Sequence, residues 1–227
     1  FKAGGRGGPQ NYTTIGRGIL RARHISDLYL HPNSIAALRL SGAQVALWLE
    51  RSVSLYHQIP HGAQDAELID AAFPSFNFDV IDGVSYQIDL SQPPRFDSYG
   101  REINPAARRI LDLRYQGRAL APDQAFILAT NSYRVAGGIG FPGTTPNQLI
   151  YEAKLGNREI LADYLRHGAE PDPQDAEPNW GFAPMPGTSV TFETAPEASE
   201  SLAQVPHLRL QPLELLDSGF RRFRLQL

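Results

Sequence analysis

One segment places an aromatic side chain directly before a glycine-rich loop, at residues 126–143, FILATNSYRVAGGIGFPG. The apolar run that begins at Phe126 predicts a buried strand, and Tyr133 follows the end of that strand. Glycines let the backbone approach a ligand closely and adopt positive φ angles. A flat ligand ring stacked on the tyrosine would gain about 1–3 kcal/mol. The segment is therefore compatible with a stacking platform, although taken alone it favours a tight turn with a core tyrosine.

Two further segments carry side chains that could bind a small polar ligand. Arg6 lies within four glycines, and such an arginine can approach a phosphate or a carboxylate with two parallel hydrogen bonds. The alternative is a solvated arginine in a mobile terminus. In His31-Pro32-Asn33 the proline fixes a turn between a ring and an amide, and the amide could bind a base edge or a hydroxyl. The alternative there is an ordinary capped turn.

The composition excludes several kinds of chemistry. The chain has no cysteine, so disulfides, zinc–thiolate sites and thiol catalysis are ruled out. His57 and His61 are four residues apart, but Pro60 would disrupt a helix carrying both. No nucleophile elbow and no Walker loop is present. The net charge of −3 does not predict a nucleic-acid polymer as partner, since such partners usually need a basic field.

The 227 residues, 42% of them hydrophobic, predict a packed α/β protein with a mixed sheet. An apolar stripe predicts a helix from Gly42 to about His57, and a second helix is expected at 157–167. Strands are expected in the 19–40 region, interrupted at His31-Pro32-Asn33. Residues 76–80 and 84–90 predict a hairpin about Asp82-Gly83.

The second half of the chain gives weaker patterns. Residues 110–115 followed by Gln116-Gly117 predict a hairpin with a weak second arm. Five prolines within 169–188 predict an irregular extended wrap. Late strands are expected at 190–193 and 220–227, the last as an edge strand with its arginines outward. No apolar run is long enough to span a bilayer, no signal peptide is visible, and a start at Phe1 suggests a fragment or a processed product.

Several strings, in order over nearly the whole chain, resemble the C-terminal domain of the 5′-nucleotidase family. The resemblance is nearest to bacterial periplasmic members with 2′,3′-cyclic-nucleotide 2′-phosphodiesterase and 3′-nucleotidase activity. The strings that carry it are FKAGGRGGP at 1–9, SDLYLHPN at 26–33, SGAQVALWLE at 41–50, NFDVIDGVSYQIDLSQPPRFD at 77–97, LATNSYRVAGG at 128–138, NW at 179–180 and the closing SGFRRFRLQL.

The resemblance implies a division of labour between two domains. An N-terminal metallophosphatase domain with two divalent metal ions would be absent from this chain. Residues 1–227 would form a single substrate-binding domain with an α/β/β/α layered fold, of which 169–227 are the proline-rich wrap and terminal strands. This domain would hold no cofactor or metal, bind a nucleotide or nucleoside, and contact the metallophosphatase domain in cis. We expect neither a membrane nor a nucleic-acid polymer as partner, a periplasmic location, and no activity from this chain alone.

Two other functions remain open at this point. One is a non-enzymatic interaction module that uses the proline-rich wrap. The other is a self-contained hydrolase, against which the missing metal cluster and nucleophile elbow argue.

By position, the resemblance assigns the base to a clamp of two rings. Tyr133 matches one ring. His31 stands where relatives usually have Tyr or Phe, and Tyr29, two residues away on the same predicted strand face, is a second candidate. Asn33 matches an asparagine that hydrogen-bonds the base.

The glycine-rich loops would complete the site. Arg6, beside Gly5, matches an arginine that contacts the ribose or phosphate side. Gly137 and Gly138 would leave room for the nucleoside. Ile139 stands where 5′-nucleotidases carry an aspartate for the ribose hydroxyls, so no carboxylate–ribose contact is expected.

Overall fold

The computed structural model describes residues 7–13, 15–16, 18–137, 140–167 and 178–227. In these ranges four α-helices and eleven strands alternate with short 3₁₀ turns. The helices are α1 (Ala22–Leu28), α2 (Gly42–Ser52), α3 (Ser132–Val135) and α4 (Asn157–Arg166). The strands are β1 (Ser34–Ser41), β2 (Ala66–Glu67), β3 (Val84–Ile88), β4 (Ile110–Tyr115), β5 (Arg118–Ala119), β6 (Ala125–Asn131), β7 (Leu149–Gly156), β8 (Trp180–Phe182), β9 (Ser189–Thr194), β10 (Leu210–Leu215) and β11 (Arg221–Gln226).

The strands form three sheets, with orders β6-β1-β7, β10-β11-β9-β2 and β5-β4-β3-β8. Most neighbours are antiparallel, but β2 runs parallel to β9 and β3 runs parallel to β8. Two of the three sheets are therefore mixed, the sheet β6-β1-β7 is purely antiparallel, and the predicted α/β class is confirmed.

Helix α2 lies at the centre of the hydrophobic core, where it contacts β1 and β4. Val45, Trp48 and Leu49 are almost completely buried on it, and Val53 continues the apolar stripe into a 3₁₀ turn. Ser41 caps the first turn by accepting a hydrogen bond from the Gln44 backbone N–H. The helix predicted from Gly42 is confirmed because its stripe is a local signal, but it ends at Ser52, earlier than the predicted end near His57.

The region before His31 is helical, so the strand predicted from residue 19 is wrong for that part. The backbone N–H of Arg21 is bound by the His24 ring at 3.2 Å, which caps α1. Tyr29 follows the helix, with its N–H bound to the Ile25 carbonyl. Tyr29 and His31 therefore do not share a strand face. The strand begins only at Ser34.

The hairpin predicted about Asp82-Gly83 is also wrong, although the turn itself exists with Gly83 at φ +85°. Residues 75–77 form a 3₁₀ turn instead of a strand. The hydroxyl of Ser52 lies 2.6 Å from both the backbone nitrogen and the carbonyl oxygen of Asp79. These backbone groups are thus satisfied by a side chain, and β3 pairs with β4 and β8.

The hairpin of β4 and β5 is confirmed, including its short second arm. Gln116 and Gly117 both have positive φ, as a two-residue turn of this kind requires. Strand β6 is exposed along one face, with Ile127 at 67% relative exposure, so it is not the buried strand that its apolar run predicts.

The last strand, β11, lies between β10 and β9, so its prediction as an edge strand is wrong. Arg222 and Arg224 are paired with carboxylates, which lets a central strand carry them.

Part of the predicted wrap, from residue 180, is strand β8, while residues 169–177 lie outside the described residues. None of the described helices is long and apolar enough to cross a bilayer.

Candidate functional site

The antiparallel pairing of β1 with β6 brings two predicted binding segments to one end of a sheet. Ile35 at the start of β1 lies opposite Asn131 at the end of β6. The Ser34 backbone N–H donates to the Ser132 hydroxyl at 3.1 Å. Asn33 and Tyr133 are the residues immediately beyond these pairs. They therefore lie at the same end of the sheet, although 100 positions separate them in the sequence.

Tyr133 lies on the short helix α3, not in a loop. The Asn131 side chain caps this helix by accepting the Arg134 backbone N–H at 3.1 Å. Tyr133 is 40% exposed, whereas Arg134 is only 3% exposed. The helix thus turns the ring toward solvent while it buries the following side chain. Tyr133 is consequently not a core residue, and its ring is accessible to a ligand.

The segment before β1 presents a second ring and an amide near this end of the sheet. His31 is exposed and Asn33 is half-buried. The Asn33 carbonyl accepts the Asn157 backbone N–H at 2.8 Å, which fixes the segment to the start of α4. The Asn33 amide donates to the Tyr29 hydroxyl at 3.4 Å. Tyr29 is thus a hydrogen-bond partner of Asn33.

The glycine loop after α3 divides into two parts. Gly137 is exposed and has φ +88°, and no atom of the described residues lies within 4 Å of where its Cβ would stand. It can therefore leave room for a ligand. Arg6, Gly5, Gly138 and Ile139 lie outside the described residues.

The later glycines of this loop serve packing instead. A Cβ built at Gly140 would lie 2.9 Å from the Gly100 Cα, and one at Gly143 would lie 2.7 Å from a Leu40 methyl carbon. Both positions also have positive φ. Packing and backbone conformation therefore explain both glycines without a ligand. The sequence pattern does not distinguish these two packing glycines from Gly137, because the residues that they contact, Gly100 and Leu40, are distant in the chain.

Arg134 is the main residue of the site that the sequence did not single out. Its guanidinium forms an ion pair with Asp79, with Nε to Oδ2 at 2.9 Å and Nη2 to Oδ1 at 2.7 Å. It also donates to the Asn77 side chain at 2.8 Å and to the Phe76 carbonyl at 2.6 Å. The Phe141 ring lies beneath it, 4.3 Å from the guanidinium carbon.

The buried indole of Trp48 completes this network. Trp48 Nε1 donates to Asp79 Oδ2 at 3.0 Å, and its ring packs against Phe141 at 4.8 Å between centroids. Segment 76–79 is thus hydrogen-bonded to α2 through Trp48 and to α3 through Arg134. These bonds attach the helix that carries Tyr133 to the core through segment 76–79.

Within the described ranges, no group of three or more His, Asp or Glu side chains could hold a metal ion. We therefore assign no metal-dependent step to these residues.

Comparison with known proteins agrees with this architecture. The model of the family "5′-nucleotidase, C-terminal domain" matches residues 6–145. A 2′,3′-cyclic-nucleotide 2′-phosphodiesterase/3′-nucleotidase from Haemophilus influenzae is 37% identical and spans all of this chain. The trifunctional nucleotide phosphoesterase protein YfkN from Bacillus subtilis is 41% identical over 86% of it. This chain belongs to the family of 5′-nucleotidase C-terminal domains.

The matched part is a minor fraction of each relative. The chain spans 36% of the Haemophilus protein and 13% of the Bacillus protein. A solved structure of a candidate 5′-nucleotidase from Staphylococcus aureus shares the fold, with a TM-score of 0.54 and 22% identity over 70% of this chain and 29% of that one.

Proposed function

We propose that this chain binds the nucleoside part of a nucleotide and presents the phosphate to a two-metal hydrolytic site on another domain. The parent protein would be a periplasmic 2′,3′-cyclic-nucleotide 2′-phosphodiesterase/3′-nucleotidase. The observation that carries the proposal is the exposed Tyr133 ring, set on a buried arginine network at the sheet end where Asn33 also lies. The relatives are named for activities on nucleotides, and these names supply the substrate class.

The proposed roles of the residues are those that the resemblance to the family implies by position. Tyr133 would stack on one face of the base, since every base offers a π-face to an aromatic ring. His31 would contact the other face, and Asn33 would hydrogen-bond the base edge. Arg6 with Gly5 would contact the ribose or phosphate side, while Gly137 and Gly138 would leave room for the nucleoside. The two metal ions would be held by the other domain, where they would clamp the phosphate and activate water.

Calorimetric titration of this chain with adenosine and with 3′-AMP tests the proposal. We expect saturable binding of both ligands. Tyr133→Ala should weaken binding by about 1–3 kcal/mol if stacking is the main contact. Tyr151→Ala is the matched control, since that tyrosine is 56% exposed on β7 and has no role in the proposed site.

Two results would contradict the proposal. One is the absence of binding up to millimolar ligand by a chain whose circular dichroism shows it folded. The other is metal-dependent hydrolysis of a cyclic nucleotide by the rigorously purified chain, because the proposal places the hydrolytic metals on another domain.

A further inference from the structure

A second exposed aromatic ring lies against Tyr133. Phe76 is 48% exposed, and its ring centroid lies 6.2 Å from that of Tyr133 with an interplanar angle of 75°. This edge-to-face geometry is the favourable arrangement for two rings. Because the rings are almost perpendicular, a planar ligand that stacks on Tyr133 cannot also stack on Phe76. The pair therefore forms a corner instead of a second clamp.

The backbone on which Phe76 stands is rigidly held. Its carbonyl accepts from Arg134 Nη2 at 2.6 Å, and the next residue, Asn77, is completely buried and accepts from Arg134 Nη1. Arg134 is also the residue that directly follows Tyr133. A single buried guanidinium thus fixes the relative position of both exposed rings.

We propose that Phe76 is a positioning residue that holds the Tyr133 ring in the orientation needed for base stacking. The inference rests on the proposed function of Tyr133. An exposed tyrosine samples several side-chain torsions, and binding in one of them costs conformational entropy. The perpendicular Phe76 ring restricts these torsions before the ligand arrives. It acts on the ligand through Tyr133 and makes no stacking contact of its own.

A double-mutant cycle measured by calorimetry with adenosine tests this role. Phe76→Ala should weaken binding about 3- to 10-fold, the range that an aromatic pair of this geometry supports. In the Tyr133→Ala background the same change should have no further effect, since the ring to be positioned is gone. Phe76→Tyr keeps the ring and should bind like the wild type. Tyr164→Ala, at 49% exposure on α4, is the matched control.

The outcomes separate this inference from the proposed function. If the wild type binds and Tyr133→Ala weakens binding, but Phe76→Ala binds like the wild type, the inference is wrong and the proposed function stands. Additive losses in the double variant also overturn it, because they show direct contact between Phe76 and the ligand. If the folded wild type does not bind, both fail together. Should Phe76→Ala lower the thermal unfolding midpoint, Phe76→Leu keeps apolar volume without a ring and must show the same loss.

Discussion

Arg134 forms a bidentate ion pair with both carboxylate oxygens of Asp79, a residue 55 positions earlier in the chain. The arginine side chain is only 4% exposed and the aspartate side chain 24%. A guanidinium removed from water in this way needs a carboxylate partner. The pair joins the turn that carries Phe76 to the helix that carries Tyr133.

Asp79→Asn should therefore destabilise the protein strongly. The amide cannot neutralise the buried guanidinium, and the expected loss in the free energy of unfolding is about 3 kcal/mol. Urea denaturation measures it. Asp112→Asn is the matched control, because Asp112 pairs with Arg114 at an exposed site and its loss should be small. Equal losses in the free energy of unfolding for the two variants would show that the buried Arg134–Asp79 pair stabilises the protein no more than an exposed pair does.

Glu50 gives a prediction on pH. Burial raises the pKa of this carboxyl above its ordinary 4.5, against the lowering effect of two backbone N–H groups, from Ile110 and Arg109, that donate to Oε1. Its folded pKa exceeds its unfolded pKa, so the native state binds the proton more tightly. The stabilisation from protonated Glu50 is full below pH 4.5 and is lost as the pH rises through the folded pKa.

Glu50→Gln removes this titration and tests it. We expect the stability of the variant relative to the wild type to increase as the pH rises from below 4.5 toward neutrality. Urea denaturation across that range provides the measurement. Glu214→Gln, at an exposed carboxyl paired with Arg222, should track the wild type. A constant difference between Glu50→Gln and the wild type at all pH values would contradict the raised pKa.

Two glycines of the same loop should respond differently to alanine. Gly140→Ala combines a positive φ with a contact of 2.9 Å to the Gly100 backbone, so it should lower the thermal unfolding midpoint clearly. Gly137→Ala meets no atom of the part of the chain that the structure describes, so it should cost only the positive-φ penalty of about 1–2 kcal/mol. If Gly137 leaves room for the nucleoside, its variant should still lose affinity for adenosine. The reverse order of stabilities would contradict the packing role of Gly140.

Replacement of His31 tests the other half of the proposed clamp. Tyr offers a larger stacking face than imidazole, so His31→Tyr should bind adenosine about 2- to 5-fold more tightly. Calorimetry measures the change, and Leu30→Tyr, at a neighbouring exposed position, is the control. Unchanged affinity in His31→Tyr would place the second face of the base elsewhere.

The sequence predicts those elements whose evidence is local. The apolar stripe that predicts α2 lies within twelve residues, 45–56, and the helix is found, although it ends at Ser52 and a 3₁₀ turn follows. The turn at Gln116-Gly117 is likewise readable, because its positive φ angles depend on the turn residues themselves. The sequence does not predict helix α1, because its first turn is capped by the His24 ring, and an arginine followed by a histidine does not signal a helix start.

Predictions from the sequence pattern are wrong for elements whose structure depends on distant partners. Residues 76–80 look like a strand, but Ser52 and Arg134 satisfy their polar groups and leave no strand pairing. The arginines of β11 suggest an exposed edge, but β10 covers that side and carboxylates pair with them. In both cases the deciding contact comes from a residue that local pattern cannot identify.

The sequence by itself determined that a tyrosine follows a strand and precedes a glycine loop, and its motifs indicated the family. Only the tertiary structure decided that this tyrosine faces solvent, that Asn33 lies at the same sheet end, and that Phe76 stands perpendicular to it. The physical reason is that periodicity and turn chemistry act within a few residues. The register of β1 on β6 and the buried Arg134–Asp79 pair join segments far apart in the chain, and they exist only once the core has formed.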